Sequence, residues 1–245
     1  MLNELLLLSG NDIPFFEARI TIHQPTIKEI GLIGEENFYT GCEMLNFSKD
    51  ILNEKDRISL ANQTDFEVLM SIMTDNNTVM QKNRVAMTLV LSLLFPEYNI
   101  KLTTSEIALL KEGEVHSINS ANFEKFKEIL TTMFCLNGHS SDDNPTYNPA
   151  GKLARQISEK LKERRKVLAE QKGDQKIAVL SRYVSILAVG LPQDMNSLMQ
   201  YTVYQLFDKF NRFELKQEFD YYIQAQMAGA RDLKEVDNWK KDIHP

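Results

Sequence analysis

The fourteen-residue stretch "LNGHSSDDNPTYNP", Leu136–Pro149, divides this chain into two parts. It strings together Gly, His, Ser, Asp, Asn and Pro with almost no apolar residue. Such residues favour turns and cannot contribute to a packed core. We therefore predict an N-terminal domain over residues 1–136, a linker over 137–148 and a helical C-terminal domain over 149–245. The chain has 245 residues and is 43% hydrophobic, which is enough to build a core.

The N-terminal part contains the two segments with strand character. "FFEARITIHQP" alternates apolar and polar residues around Ala18, Ile20 and Ile22, which predicts a strand. "EIALLKEGEVHSIN" predicts a hairpin that turns at Glu112 and Gly113. The sequence therefore predicts a mainly α, helical two-part protein with a small β element, a strand plus a hairpin, in its N-terminal part.

Helical signals surround these strands. "PTIKEIGLIG" predicts a helix with Pro25 in its first turn, and the next segment places Phe38, Cys42 and Leu45 on one helical face. Thr64 and Glu67 have the spacing of a capping box. A further stripe at helical spacing comprises Phe123, Phe126, Ile129, Leu130 and Met133.

A basic segment opens the C-terminal part. Residues 151–172 hold eight Lys and Arg against three Glu, whereas residues 1–150 hold 11 basic and 21 acidic residues and the whole chain is −6. This segment has three possible interpretations: a solvated helix, a docking face for an acidic or helical partner, or a nucleic-acid contact. The acidic surroundings and the lack of interleaved aromatic residues argue against nucleic acid. We take Arg164, Arg165 and Lys166 as candidate partner-binding residues.

Methionine and aromatic residues are frequent further along. "DMNSLMQYTVYQLFDKFNRF" predicts one helix that is apolar around more than half of its circumference. This composition fits either the core of a helical bundle or an adaptable surface that binds helices. The candidate partner-binding residues in this segment are Met195, Met199, Tyr201, Tyr204 and Phe207.

Signatures of catalysis and cofactor binding are missing from the sequence. The four histidines are scattered and do not pair with the two cysteines at metal-ligand spacing. There is no Gly-rich phosphate loop and no nucleophile elbow. We therefore expect no enzymatic activity, no cofactor and no metal. The longest apolar segment, Val85–Phe95, is too short to span a bilayer, so we also expect no membrane association.

Three stretches together carry a family resemblance: "HQPTIKEIGLIGEENFYTGCEML", "DMNSLMQYTVYQLFDKFNRF" and "AGARDLKEVDNWKKDIH". They resemble proteins of similar size from the tail-morphogenesis regions of siphophages and prophages of Gram-positive bacteria. The resemblance implies a helical tail assembly chaperone in the host cytoplasm. Such a protein would bind and shield the tape-measure protein, or another tail protein, while the tail tube assembles. It assigns no residue roles and leaves a homo-oligomer open. A structural minor tail or connector subunit of the virion is the alternative.

Overall fold

The computed structural model describes residues 2–51, 54–74, 80–136 and 179–229, together with Val236 and Lys240. The helices are α1 (Glu4–Ser9), α2 (Ile27–Ile33), α3 (Glu35–Leu45), α4 (Glu54–Ser59), α5 (Asp65–Thr74), α6 (Gln81–Leu94), α7 (Phe123–Met133), α8 (Val179–Gly190), α9 (Met195–Met199) and α10 (Val203–Met227). A short 3₁₀ helix spans Lys49–Ile51. The strands are β1 (Ile13–Phe15), β2 (Ile20–Ile22), β3 (Asn99–Leu102), β4 (Glu106–Lys111) and β5 (Glu114–Asn119). The fold is mainly α with small β elements in the N-terminal half, as predicted.

Both small sheets are antiparallel. β1 pairs with β2, so the predicted strand around Ile20 is one arm of a second hairpin. The other sheet has the order β3-β4-β5. Its β4–β5 hairpin turns at Glu112 and Gly113, which have φ values of 50° and 87°. A two-residue hairpin turn of this kind needs positive φ at both positions, and the predicted turn is confirmed.

Aromatic side chains hold the helices and sheets together. Phe38 meets Phe134 edge-on with ring centroids 4.9 Å apart, and Phe66 meets Phe123 at the same distance. Phe126 contacts aromatic rings from β1 and from the residue after α6. All five residues of the predicted stripe on α7 are buried, as are the three apolar residues predicted to share a face of α3. The spacing of apolar residues, with a period of 3.6 residues, therefore identified the buried faces of both helices.

Two predicted helix boundaries were wrong. α2 begins at Ile27 instead of Pro25, because the Thr26 side chain caps the helix and Glu29 completes a capping box. The predicted continuous helix after Asp194 is interrupted between Met199 and Val203. Thr202 does not lie on the face of a continuous helix. It caps the start of α10 and forms a second capping box with Gln205.

The two helix starts are joined to each other. The Tyr201 carbonyl oxygen accepts a hydrogen bond from the Ile27 backbone N–H at 2.8 Å, and Thr26 and Thr202 form an antiparallel bridge. A side-chain amide of Gln205 also donates to the Leu8 carbonyl oxygen at 2.7 Å. These contacts attach the start of α10 to the N-terminal elements.

The described residues up to Leu136 and those from Leu180 to Gly229 belong to one compact unit. The sequence did not predict that residues 180–229 would pack with the N-terminal part. The predicted linker and the basic segment with Arg164, Arg165 and Lys166 lie outside the described residues. The domain boundaries predicted at 136 and 149 therefore stay predictions.

Candidate binding surface

A cleft of about 330 Å³ lies among α2, α8 and α9. Its lining is mainly apolar and comprises Ile27, Ile30, Gly31, Gly34, Glu35, Leu180, Ser181, Val184, Met195 and Met199. Clefts of this kind, mostly apolar with a few polar groups, are the usual form of binding sites, at volumes of about 300–1,000 Å³. The cleft is therefore the candidate functional site in the described part of the chain.

Local structure explains how these residues meet. Ile27 and Gly31 are one turn apart on α2, and Leu180 and Val184 have the same separation on α8. Residues four apart lie on the same face of a helix, so each helix presents two layers to the cleft. On α9, Asp194 accepts a hydrogen bond from the Ser197 backbone N–H at 3.0 Å and caps the helix.

Two of the predicted partner-binding residues line the cleft from α9. Met195 is 50% exposed and Met199 is partly buried. Unbranched Met side chains repack easily around different partners. The exposure of Met195 shows that this part of the lining faces solvent.

The remaining predicted residues on these helices have other roles. Tyr204 is 6% exposed, belongs to the core and does not line the cleft. Phe207 is partly buried against Tyr183, with ring centroids 5.1 Å apart. The Tyr201 hydroxyl accepts hydrogen bonds from Gln193 Nε2 at 2.8 Å and from Lys209 Nζ at 3.0 Å. Burial raises the pKa of Tyr201, but these hydrogen bonds outweigh it and leave the pKa below its ordinary value.

Glycines leave part of the lining open. A Cβ atom added to Gly31 would meet just one atom within 4 Å, the Met199 Cε at 3.9 Å, and one added to Gly34 would meet none. Gly34 also has a φ of 83°, which glycine adopts without strain. The sequence predicted no part in a binding surface for Gly31 and Gly34. Their spacing beside Ile27 and Ile30 was the signal that could have identified a lining face.

Glu35 provides the charge in the cleft lining. Its carboxylate accepts hydrogen bonds from the Leu180 backbone N–H at 2.6 Å, the Ser181 backbone N–H at 3.3 Å and the Ser181 hydroxyl at 2.9 Å. The Leu180 and Ser181 N–H groups lie in the first turn of α8, where backbone donors have no acceptor within the helix and a negative charge is stabilised. Burial and then the charge of Glu35 raise the pKa of the neighbouring Tyr39.

The described residues offer little for covalent or metal chemistry. Burial raises the pKa of Cys42, and burial together with Asp208 raises that of Cys135 to about 11, so neither is a reactive thiolate. Across the described ranges, no group of three or more His, Cys, Asp or Glu side chains is placed to hold a metal ion. Within the same ranges, no helix is long and apolar enough to cross a membrane.

A protein-family model described as the YomV second domain matches residues 170–244. The matched part includes α8, α9 and α10, and therefore the Leu180, Val184, Met195 and Met199 walls of the cleft. The family name is phage-associated, and the match supports a phage-related protein. No curated protein and no solved structure matches this chain.

Proposed function

We propose that this protein is a phage tail assembly chaperone, which binds and shields apolar helix surface of the tape-measure protein while the tail tube forms. The observation that carries the proposal is the open apolar cleft with Met195 and Met199 in its lining. A chaperone for amphipathic helices needs a solvent-facing apolar site that adapts to different side chains, and methionine supplies that adaptability. The phage-associated family match includes α8 and α9, which form one side of this cleft, and it supports a phage-related role for the protein.

The test is co-expression of the tagged protein with the tape-measure protein of the same phage genome, followed by affinity capture and mass determination. We expect a soluble complex of the two chains, with the tape-measure protein insoluble when it is expressed alone. Elution of the tagged protein by itself, with the tape-measure protein still insoluble, would contradict the proposal.

Purified virions separate the chaperone from the alternative, a structural minor tail or connector subunit. A chaperone leaves before the particle is complete, so we expect none in the particle. A stoichiometric band in purified virions would favour the structural subunit instead.

A further inference from the structure

We infer that the cleft among α2, α8 and α9 receives two apolar side chains, one helical turn apart, from an amphipathic partner helix, and that a Lys or Arg beside them meets Glu35. This inference rests on the proposed function and specifies the chemistry of the segment that is held. Three independent features of the cleft lead to it: its volume, its spacing and its charge.

The volume fits two side chains. An apolar cavity of about 150 Å³ can hold one benzene ring. The cleft measures about 330 Å³, so it has room for about two groups of that size. A single aliphatic side chain would leave much of the cleft unfilled, and unfilled apolar space forfeits packing contacts.

The spacing of the lining fits a helix. Ile27 and Gly31, Leu180 and Val184, and Met195 and Met199 are each four residues apart on their own helices. Four residues of α-helix rise about 6 Å, and side chains at that separation on a partner helix lie on one face. The open space above Gly31 lets such a face approach the backbone of α2.

The charge of the lining selects the flanking residue. A carboxylate offers about four acceptor positions, and the backbone N–H groups and hydroxyl of α8 occupy three of those on Glu35. Among the described residues, no other group occupies the remaining position, which would accept a cation and repel an acid. The complementary partner is therefore a helix with a Lys or Arg next to its apolar pair, so that the cation meets the Glu35 carboxylate in the cleft.

Fluorescent peptides of about 18 residues, long enough to form a helix, provide the probe. Two peptides carry the same pair of Leu residues four apart, flanked by Lys in one and by Glu in the other. A third has the Leu pair replaced by Ser. Binding to the full-length protein is followed by fluorescence anisotropy at low and high salt.

We expect the Lys-flanked peptide to bind more tightly than the Glu-flanked one by up to about fivefold at low salt, which is the range of an exposed ion pair. The Ser peptide should not bind. Glu35→Gln should abolish the preference for Lys. Equal or tighter binding of the Glu-flanked peptide would overturn the proposed contact between Glu35 and a cation. Binding of the Ser peptide would overturn the proposal that two apolar side chains enter the cleft.

A matched pair of variants tests the location. Gly31→Trp places an indole in the cleft, whereas Leu32→Trp places the same group on the next residue, which is 83% exposed and outside the lining. We expect Gly31→Trp to weaken binding at least about tenfold, since an anchor side chain can no longer enter, and Leu32→Trp to change it less than about twofold. Met195→Ser changes a half-exposed residue and should also weaken peptide binding. This second test does not depend on how Gly31→Trp folds. Unchanged binding in Met195→Ser and in a folded Gly31→Trp would overturn the inference.

The two proposals fail separately. If the tape-measure protein is solubilised equally by wild type and by Gly31→Trp, the cleft assignment is overturned and the chaperone function stands. If the peptides bind as expected but the tape-measure protein stays insoluble, the cleft assignment is supported and the tape-measure protein is not the partner.

Discussion

The close approach of α3 to α6 at Gly41 and the open space beside Gly31 predict opposite effects for the same substitution at these two glycines. Gly41 is buried in α3, where an added Cβ would lie 2.5 Å from the Ala86 carbonyl oxygen and 2.5 Å from Val90 Cγ2 on α6. Gly31 is exposed in α2, where an added Cβ would meet just the Met199 Cε at 3.9 Å. The matched variants are Gly41→Ala and Gly31→Ala.

The magnitudes follow from the two environments. Replacing a mid-helix glycine by alanine stabilises a helix by about 0.5–1 kcal/mol when nothing obstructs the methyl group. We therefore expect Gly31→Ala to raise the free energy of unfolding by that amount. At Gly41 the obstructing atom is a backbone oxygen, so α3 and α6 must separate, at a cost near the upper end of the range of about 1–3 kcal/mol for overpacking. After the gain in helix propensity, Gly41→Ala should lower the free energy of unfolding by about 2 kcal/mol.

Urea unfolding followed by circular dichroism measures both variants. We expect the two midpoints to move in opposite directions with an unchanged m-value, and the free energies of unfolding to differ by about 3 kcal/mol. The double variant should show the sum of both effects, because the added methyl groups meet different neighbours and share no contact. If Gly41→Ala were as stable as wild type, the close packing of α3 on α6 would be refuted.

Three further predictions concern helix capping. Burial raises the pKa of Glu29, but hydrogen bonds from Thr26, followed by the electrostatic attraction of His23 and its hydrogen bond, outweigh burial and leave the pKa below its ordinary value of 4.5. The stability that Glu29 confers is therefore present above pH 4.5 and is lost as the pH falls through the lower folded-state pKa, so Glu29→Gln should flatten the acid limb of an unfolding titration. A limb as steep as that of wild type would contradict this. Glu35→Ala removes the acceptor for the Ser181 N–H and hydroxyl, and thermal unfolding should show a loss of about 0.5–2 kcal/mol, with Glu35→Gln between it and wild type. An Ala variant as stable as wild type would show that this cap does not hold α8. Thr202→Ala should lower the free energy of unfolding by about 1 kcal/mol, because the Thr202 hydroxyl accepts from the Gln205 backbone N–H at 3.3 Å. Thr202→Ser keeps the hydroxyl and should lower it much less. Equal losses in the two variants would show that the effect comes from packing of the methyl group.

The sequence alone determined the helical faces, the hairpin turn and one helix start. The stripe that begins at Phe123 is buried as its spacing predicted, and the turn at Glu112 and Gly113 has the backbone that such a turn requires. The Thr64–Glu67 capping box is also present, with the Thr64 N–H donating to Glu67 at 2.7 Å. These features depend on residues at most a few helical turns apart, so local physical chemistry is enough to specify them.

The tertiary structure alone showed how the candidate site is assembled. The cleft combines Gly31 with Met199 and Glu35 with Leu180, pairs that lie far apart in the sequence. Periodicity shows that a residue faces something apolar, but it does not show which distant helix covers it or where a gap is left. That information appears when α8 and α9 pack against α2, because burial and hydrogen bonding across the chain then determine which apolar groups are covered and which remain open.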